Sequence, residues 1–226
     1  MTFYQIVAAG PAATASVYHR PPVTARLLPS LLLACARAAA QEPATTAQPA
    51  SYAASASFYL LEDDEDYLQP TIAADRGGLH LEARFNYEDR ETASAWIGFN
   101  LSVGDELSFE FTPMLGVVAG RTKGIAPGCK GTLSWRRLAF YSEAEYVFDA
   151  DDSSDSFLYA WSELTLAPTE RWRVGFVAQR TRVYETDFDI QRGLLLGASF
   201  GRLDITAYVL NPDETPTLVL AAAAGF

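Results

Sequence analysis

The chain has 226 residues, of which 49% are hydrophobic and 12% are aromatic, and its formal net charge is -11. This composition excludes a disordered chain, and the acidic balance argues against nucleic-acid binding, which needs a basic surface. Beyond the amino terminus no apolar run of about 18 residues occurs, so the sequence predicts no membrane-spanning helix there.

The first forty residues have the order of a secretory signal peptide. They contain no Asp or Glu, and Arg26 precedes an apolar run at 27–36, after which three alanines at 38–40 supply a cleavage site. Residues 1–25 make an unusually long n-region, which leaves open a start downstream of Met1. A lipoprotein signal ending at Cys35 and an ordinary buried helix are the alternatives.

Residues 41–54 are low in large apolar side chains and predict a flexible periplasmic linker. From 55 to 226 the sequence predicts an all-β fold of twelve strands, at 55–61, 67–75, 79–87, 92–103, 106–117, 127–135, 138–148, 156–166, 172–184, 188–199, 202–210 and 215–226. Most have about 9 to 12 residues, whereas globular strands average about 5 to 6 and membrane strands need about 9 to 11.

The connections between these strands alternate between two kinds. The short ones lie at 76–78, 104–105, 136–137, 167–171 and near Gly201. The longer or acidic ones lie at 62–66, 88–91, 118–126, 149–155, 185–187 and 211–214. In an up-and-down barrel every second connection lies at the same rim, so the alternation favours an antiparallel barrel with both chain ends at the short-turn side.

The strands also alternate between apolar and polar residues. In one clear example, Leu79, Leu81, Ala83, Phe85 and Tyr87 share a face opposite His80, Glu82, Arg84 and Asn86. Twelve such apolar faces would overfill a soluble core of this size. We therefore predict that the apolar faces contact lipid and that the polar faces line the interior.

Two places fit this pattern badly. Pro113 lies inside a strand without a ladder donor, which predicts a β-bulge. Arg180 and Arg182 continue a lipid-facing set, so either a bulge resets the register or both arginines lie above the hydrocarbon near anionic headgroups, and Arg192 raises the same question.

The carboxyl-terminal segment "PTLVLAAAAGF" is strand-like and ends on Phe226. In this respect the chain resembles the bacterial outer-membrane β-barrel class and is porin-like. The resemblance implies an outer-membrane location, contact with outer-membrane lipids and lipopolysaccharide, and insertion by machinery that reads Phe226. Aromatic residues near strand ends fit interfacial girdles, namely Tyr87, Trp135, Tyr146, Phe148, Trp172 and Tyr184.

The sequence offers little chemistry, and we predict neither an enzyme nor a cofactor. Metal-ligand spacings and a glycine-rich phosphate loop are absent. His80 is predicted near the short-turn rim, facing inward, where it does not suit a lipid hydrolase. The acidic loops offer carboxylates to divalent cations, but they lack the glycine and spacing of a calcium loop, which favours simple solvation.

We therefore predict a narrow channel for passive diffusion that prefers cations. The candidate lumen-lining residues are His80, Glu82, Arg84, Asn100, Glu106, Glu110, Lys130, Glu143, Glu145, Glu163, Arg173, Asp189 and Asp204. Eight of these are acidic and three are basic, and carboxylate rings attract cations. Twelve-stranded sugar-acid channels are instead lined with arginine, so acidic oligosaccharides fit poorly. The alternatives are a non-conducting structural or adhesive barrel, an outer-membrane lipid hydrolase and a soluble periplasmic barrel.

Overall fold

The computed structural model describes residues 49–62, 64–183 and 189–226, with the side chains of 182 and 183 and of 189 outside that description. The described residues contain thirteen strands and one short 3-10 helix, Ser153–Asp155. The strands are β1 (Ser51–Leu60), β2 (Tyr67–Arg76), β3 (Leu79–Phe85), β4 (Thr92–Phe99), β5 (Leu101–Gly104), β6 (Leu107–Gly120), β7 (Gly124–Trp135), β8 (Leu138–Asp149), β9 (Phe157–Leu166), β10 (Trp172–Val183), β11 (Asp189–Phe200), β12 (Leu203–Leu210) and β13 (Thr217–Gly225).

The strands form a closed, up-and-down antiparallel barrel with twelve positions around its circumference. β4 and β5 do not pair with each other but both pair with β6; every other strand pairs with its sequence neighbours, and β13 pairs with β1. The predicted fold class and strand number are therefore confirmed. Within the described ranges, no helix has the length and apolar character of a membrane span.

The fourth position in the barrel is occupied by β4 and β5 together, which form one strand that is interrupted opposite Pro113. Gly98 pairs with Met114 and Leu101 pairs with Phe111, so two residues separate these pairs on each strand and the register is unchanged. The predicted bulge at Pro113 is therefore wrong. The missing N–H of proline interrupts the ladder without inserting a residue.

The connections are sorted between the two ends of the barrel. The short-turn rim has the connections at 77–78, 105–106, 136–137, 167–171 and 201–202. At the other end, the long-loop rim, the strands β1 and β2, β3 and β4, β6 and β7, β8 and β9, β10 and β11, and β12 and β13 have their adjacent ends, and the fully described connections there are 86–91, 121–123, 150–156 and 211–216. Both ends of the barrel sequence lie at the short-turn rim, where the Phe226 N–H donates to the Tyr52 carbonyl at 2.8 Å.

Large apolar side chains cover the outside of the barrel, and polar and aromatic side chains fill the inside. Ile72, Ile97 and Phe176 are more than half exposed, whereas the intervening positions of their strands are buried or half-buried. An apolar surface that continues around the whole barrel is typical of a barrel embedded in lipid. The predicted orientation of the two faces agrees with this arrangement.

Three local expectations change. β1 begins at Ser51, so residues 51–54 belong to the barrel and not to the predicted linker; residues 1–48 lie outside the described part. β10 pairs without interruption on both sides, so no bulge resets its register and Arg180 points outward near the long-loop rim. Arg192 also lies there and contacts Asp213 at 2.7 Å.

Tyr87 was expected in the lipid-facing girdle, and this expectation is wrong. β3 ends at Phe85, and Asn86 has a positive φ of 56°, which interrupts the alternation of side chains. Tyr87 therefore turns into the barrel, where it is 1% exposed. Trp135, Phe148 and Trp172 are about half exposed on the outside, as a girdle requires, and Tyr184 lies outside the described residues.

Candidate functional site

The lumen is the part of the barrel where charged side chains collect. β3 contributes His80, Glu82 and Arg84, because three successive inward positions of this strand are ionisable, and all three side chains are buried. Opposite them, β8 contributes Glu143 and Glu145, which are also buried. Buried charges are costly unless they are paired, so their contacts decide what the lumen can hold.

Arg84 is at the centre of this charged network. Its guanidinium donates to Glu82 on its own strand and, across the lumen, to Oε2 of Glu145 at 2.8 Å. A third carboxylate, that of Glu88, lies 3.7 Å from Nη1. The guanidinium carbon also lies 4.0 Å from the ring centre of Tyr87 and 4.5 Å from that of Trp96. Arg84 is thus held by carboxylates and by aromatic faces together.

The network continues towards the short-turn rim through Glu82. Its carboxylate accepts from Lys130 and lies 3.2 Å from Nε2 of His80. The other ring nitrogen of His80, Nδ1, is 2.8 Å from Asp75. Both ring nitrogens of His80 therefore contact carboxylates, and this arrangement does not present the histidine to a serine nucleophile as a hydrolase would require.

Several buried oxygens in this region have no hydrogen-bond partner. They are Oε2 of Glu88, Oε1 of Glu143, Oε1 of Glu145 and the hydroxyls of Tyr87 and Tyr159. A buried polar atom without a protein partner is costly unless water or a bound ligand satisfies it. The centre of the lumen is therefore polar, and its unpartnered oxygens can accept hydrogen bonds from further donors.

Trp96 lies beside Arg84 because glycine opposes it. Its Nε1 donates to Ser94 at 2.9 Å and lies 3.3 Å from Glu88. A Cβ at Gly116, the residue paired with it on β6, would lie 2.6 Å from the indole ring. The indole therefore needs glycine at position 116.

A second polar cluster lies on the opposite wall. Glu163 accepts from the Trp161 indole at 2.8 Å and from the Tyr208 hydroxyl at 2.9 Å. Nearer the short-turn rim, Arg173 contacts Asp204 at 3.1 Å and also donates to Thr206. This arginine is paired with a carboxylate, as Arg84 is.

Aromatic side chains narrow the lumen towards the long-loop rim. Those exposed by 1% or less are Tyr59, Tyr87, Phe157, Tyr159, Trp161 and Tyr208. Twelve strands leave more interior space than eight, and here much of that space is filled by large side chains. The lumen is consequently narrowed by these side chains and is not a wide, empty space.

Carboxylates outnumber fixed cations in the central network. Its acidic members are Asp75, Glu82, Glu88, Glu143 and Glu145, and its fixed cations are Arg84 and Lys130. These carboxyl groups lie deep in the lumen, where the low dielectric strengthens electrostatic interactions.

No protein-family model matches the sequence, and no curated protein matches it. Solved structures do match. A KdgM porin is 9% identical with a TM-score of 0.55 and covers 77% of this chain and 99% of its own. The chain has a porin fold. A KdgM porin in complex with disordered oligogalacturonate matches with the same identity and coverage and a TM-score of 0.56. At 9% identity the similarity is one of backbone fold, and the residues that line the lumen must be taken from this chain alone.

The structure gathers most of the predicted lumen residues inside the barrel. Those that lie buried or half-buried there are His80, Glu82, Arg84, Asn100, Lys130, Glu143, Glu145, Glu163, Arg173 and Asp204. Glu106 and Glu110 are exposed at the short-turn rim, because β5 and the start of β6 extend beyond Leu79, the first residue of β3, and Glu106 pairs with Arg136. Asp189 begins β11, and its side chain lies outside the described part.

Sequence reasoning missed two acidic members of the central network. Asp75 follows the inward alternation of β2 and could have been found by the same count that found His80. Glu88 belongs to the connection between β3 and β4, where strand alternation predicts nothing, yet it is fully buried and accepts from Ser94 at 2.6 Å.

The acidic loops at the long-loop rim are partly neutralised by basic side chains. Asp64 contacts Arg90 at 2.9 Å, and Asp151 contacts Lys123 at 3.0 Å. The backbone N–H of Glu65, together with Arg90, lowers the pKa of Asp64. Among the described residues no group of three or more potential ligands is arranged to hold a metal ion.

Proposed function

We propose that the protein is a channel of the bacterial outer membrane that passes small solutes by diffusion and prefers cations. The observation that supports this most directly is the excess of buried carboxylates over Arg84 and Lys130 in the centre of the lumen. Carboxylates that line a pore attract cations in preference to anions. The apolar outer surface, the porin fold and the predicted signal peptide support the location.

The acidic lumen also bears on the class of solute. A KdgM porin is described with oligogalacturonate, which carries carboxylates. Carboxylates of a solute would meet Glu82, Glu143 and Glu145 at close range, and like charges in a narrow passage repel. We therefore propose cations and small neutral solutes, and not acidic oligosaccharides, as the substances that pass.

A flux assay tests this proposal. The protein is purified in folded form from membranes and reconstituted into vesicles. The vesicles are loaded with radioactive rubidium or with radioactive chloride. We expect rubidium to leave several-fold faster than chloride, and heat-denatured protein to release neither ion. Equal release of both ions would contradict the cation preference.

A non-conducting structural barrel is the second candidate, and the aromatic filling of the lumen favours it. Tyr59, Tyr159 and Trp161 are inaccessible to water in this structure. The same vesicles separate the two functions, because a structural barrel would release no ion although its gel mobility still changes on heating, as expected of a folded barrel.

A further inference from the structure

The Arg84 guanidinium is bound in the way that a free guanidinium ligand would be. The residues around it are defined here as the Arg84 cage, which consists of Glu82, Glu88, Glu145, Tyr87 and Trp96. Three carboxylates and two aromatic faces meet one planar cation, and this is the combination that recognises guanidinium and ammonium groups. Arg84 reaches the cage from β3 on a flexible side chain.

The cage has more capacity than Arg84 uses. The second oxygens of Glu88 and Glu145 have no hydrogen-bond partner. The hydroxyl of Tyr87, which is 1% exposed, has none either. Beside it, the Tyr159 ring contacts the Tyr87 ring edge-on at 5.8 Å between centres, pairs in register with Glu145 and also has an unpartnered hydroxyl. These atoms can accept or donate further hydrogen bonds.

We propose that the Arg84 cage is a binding site for the guanidinium or ammonium group of a cationic solute, and that Arg84 fills this site as a tethered ligand when no solute is present. The site specifies which class of solute the channel proposed above would pass, and this part of the inference rests on the proposed function. Binding itself does not depend on conduction.

Exchange of Arg84 for a solute cation would keep the carboxylates of the cage compensated while the solute is bound. If Arg84 left the cage without replacement, Glu82 would keep Lys130, but the buried carboxylates of Glu88 and Glu145 would lose their cationic partner, which is strongly unfavourable. A solute cation that enters as Arg84 swings away keeps the charge of the cage constant. The same exchange removes a side chain that crosses from β3 to β8, and this opens the passage.

The chemistry favours an organic cation over a metal ion. The part of the chain that the structure describes contains no group of three or more potential ligands arranged to hold a metal ion. The aromatic faces of Tyr87 and Trp96 instead contact the flat guanidinium, which is more weakly hydrated than a compact ion. Planar, weakly hydrated groups with several N–H donors therefore suit the cage.

Removal of the tethered ligand tests the proposal. We would measure the heat stability of Arg84→Ala by gel mobility in detergent, with methylguanidinium as the probe and potassium at equal ionic strength as the reference. We expect saturable stabilisation of Arg84→Ala by methylguanidinium at millimolar concentration and a much weaker stabilisation of the wild type, in which the ligand must compete with Arg84. Addition of Glu145→Gln to Arg84→Ala should weaken binding about tenfold, because a charge-assisted bond is lost.

Arg173→Ala is the matched control. Arg173 is also paired with a carboxylate in the lumen, at Asp204, but it has none of the cage's aromatic faces. We expect methylguanidinium to stabilise this variant no more than the wild type. Equal stabilisation of Arg173→Ala and Arg84→Ala, or none of either, would overturn the proposal.

Folding and conduction give separable outcomes. Folding of Arg84→Ala and of the near-isosteric Arg84→Gln only when methylguanidinium is present would support the cage as a binding site. If methylguanidinium changes neither the folding nor the stability of these variants, the proposal is overturned. In planar bilayers, Arg84→Ala should conduct at least twofold better than the wild type and be blocked by methylguanidinium. Binding of methylguanidinium without any conductance would support the site and contradict the channel. Conductance without binding or block would support the channel and contradict the site.

Discussion

Glu143 and Glu145 occupy successive inward positions of β8, and each keeps one carboxylate oxygen without a hydrogen-bond partner. Their other oxygens accept from Tyr141 at 2.7 Å and from Arg84 at 2.8 Å. Because no lysine or arginine among the described residues is bonded to Glu143, this side chain is well placed to act on an ion in the proposed channel.

We expect the double substitution Glu143→Gln and Glu145→Gln to reduce the cation-to-anion permeability ratio. Even in water, a unit negative charge at roughly 7 Å stabilises a cation and destabilises an anion by about 0.6 kcal/mol each, so each charge removed lowers the cation-to-anion ratio by at least about sevenfold. The measurement is the reversal potential in a salt gradient. Asp151→Asn, which removes an exposed loop carboxylate paired with Lys123, should leave the ratio unchanged. An unchanged ratio in the double variant would contradict the assigned role of these carboxylates.

At the scale of the strand, Pro113 leaves a gap in the wall of the barrel. The Asn100 N–H donates to the Gly78 carbonyl at 2.7 Å, so the neighbouring Phe99 directs its backbone groups towards β6. There it lies opposite Pro113, which has no N–H to offer its carbonyl. Lipid supplies no replacement donor, so this interruption costs stability.

We expect Pro113→Ala to stabilise the barrel by about 1 kcal/mol, because the new N–H can donate to Phe99. The midpoint of the heat-induced change in gel mobility reports the effect. Pro168→Ala in a short turn outside the ladders serves as the control and should not raise the midpoint. A midpoint that falls in Pro113→Ala would show that the rigidity of proline matters more at this position than the missing bond.

The strands also show what a sequence can and cannot predict. Alternation and length were enough to place every barrel strand to within a few residues, because one face had to be apolar throughout. Tyr87 was misplaced because alternation ends with the strand, and the positive φ of Asn86 changes the direction of the next side chain. The register at Pro113 could not be predicted, since a missing donor is compatible with either a bulge or a simple gap.

The whole molecule consists of an apolar exterior and a charged interior, and its contacts across the lumen lie beyond sequence reasoning. Alternation predicts that Arg84 and Glu145 both point inward. That they meet depends on the closure of the barrel, because 61 residues separate them. The composition of the lumen was therefore predictable, whereas its pairing was not. Contact of the outer surface with lipopolysaccharide and recognition of Phe226 by the insertion machinery stay predictions.

The four tryptophans test the orientation of the whole barrel. Trp135 and Trp172 are about half exposed on the outside, and Trp96 and Trp161 are buried in the lumen. In vesicles of brominated lipid, fluorescence of the variant Trp96→Phe, Trp161→Phe should be strongly quenched. The variant Trp135→Phe, Trp172→Phe, which keeps the lumen tryptophans, should be quenched only weakly. Equal quenching would contradict the assignment of inside and outside.

Single-channel recording in a planar bilayer under a potassium chloride gradient tests the central claim most directly. It requires protein purified in folded form, with a gel mobility that changes on heating. We predict discrete current steps with a reversal potential shifted towards the equilibrium potential of potassium, because carboxylates exceed fixed cations in the lumen. A shift towards the equilibrium potential of chloride, or folded protein that never conducts, would contradict the account.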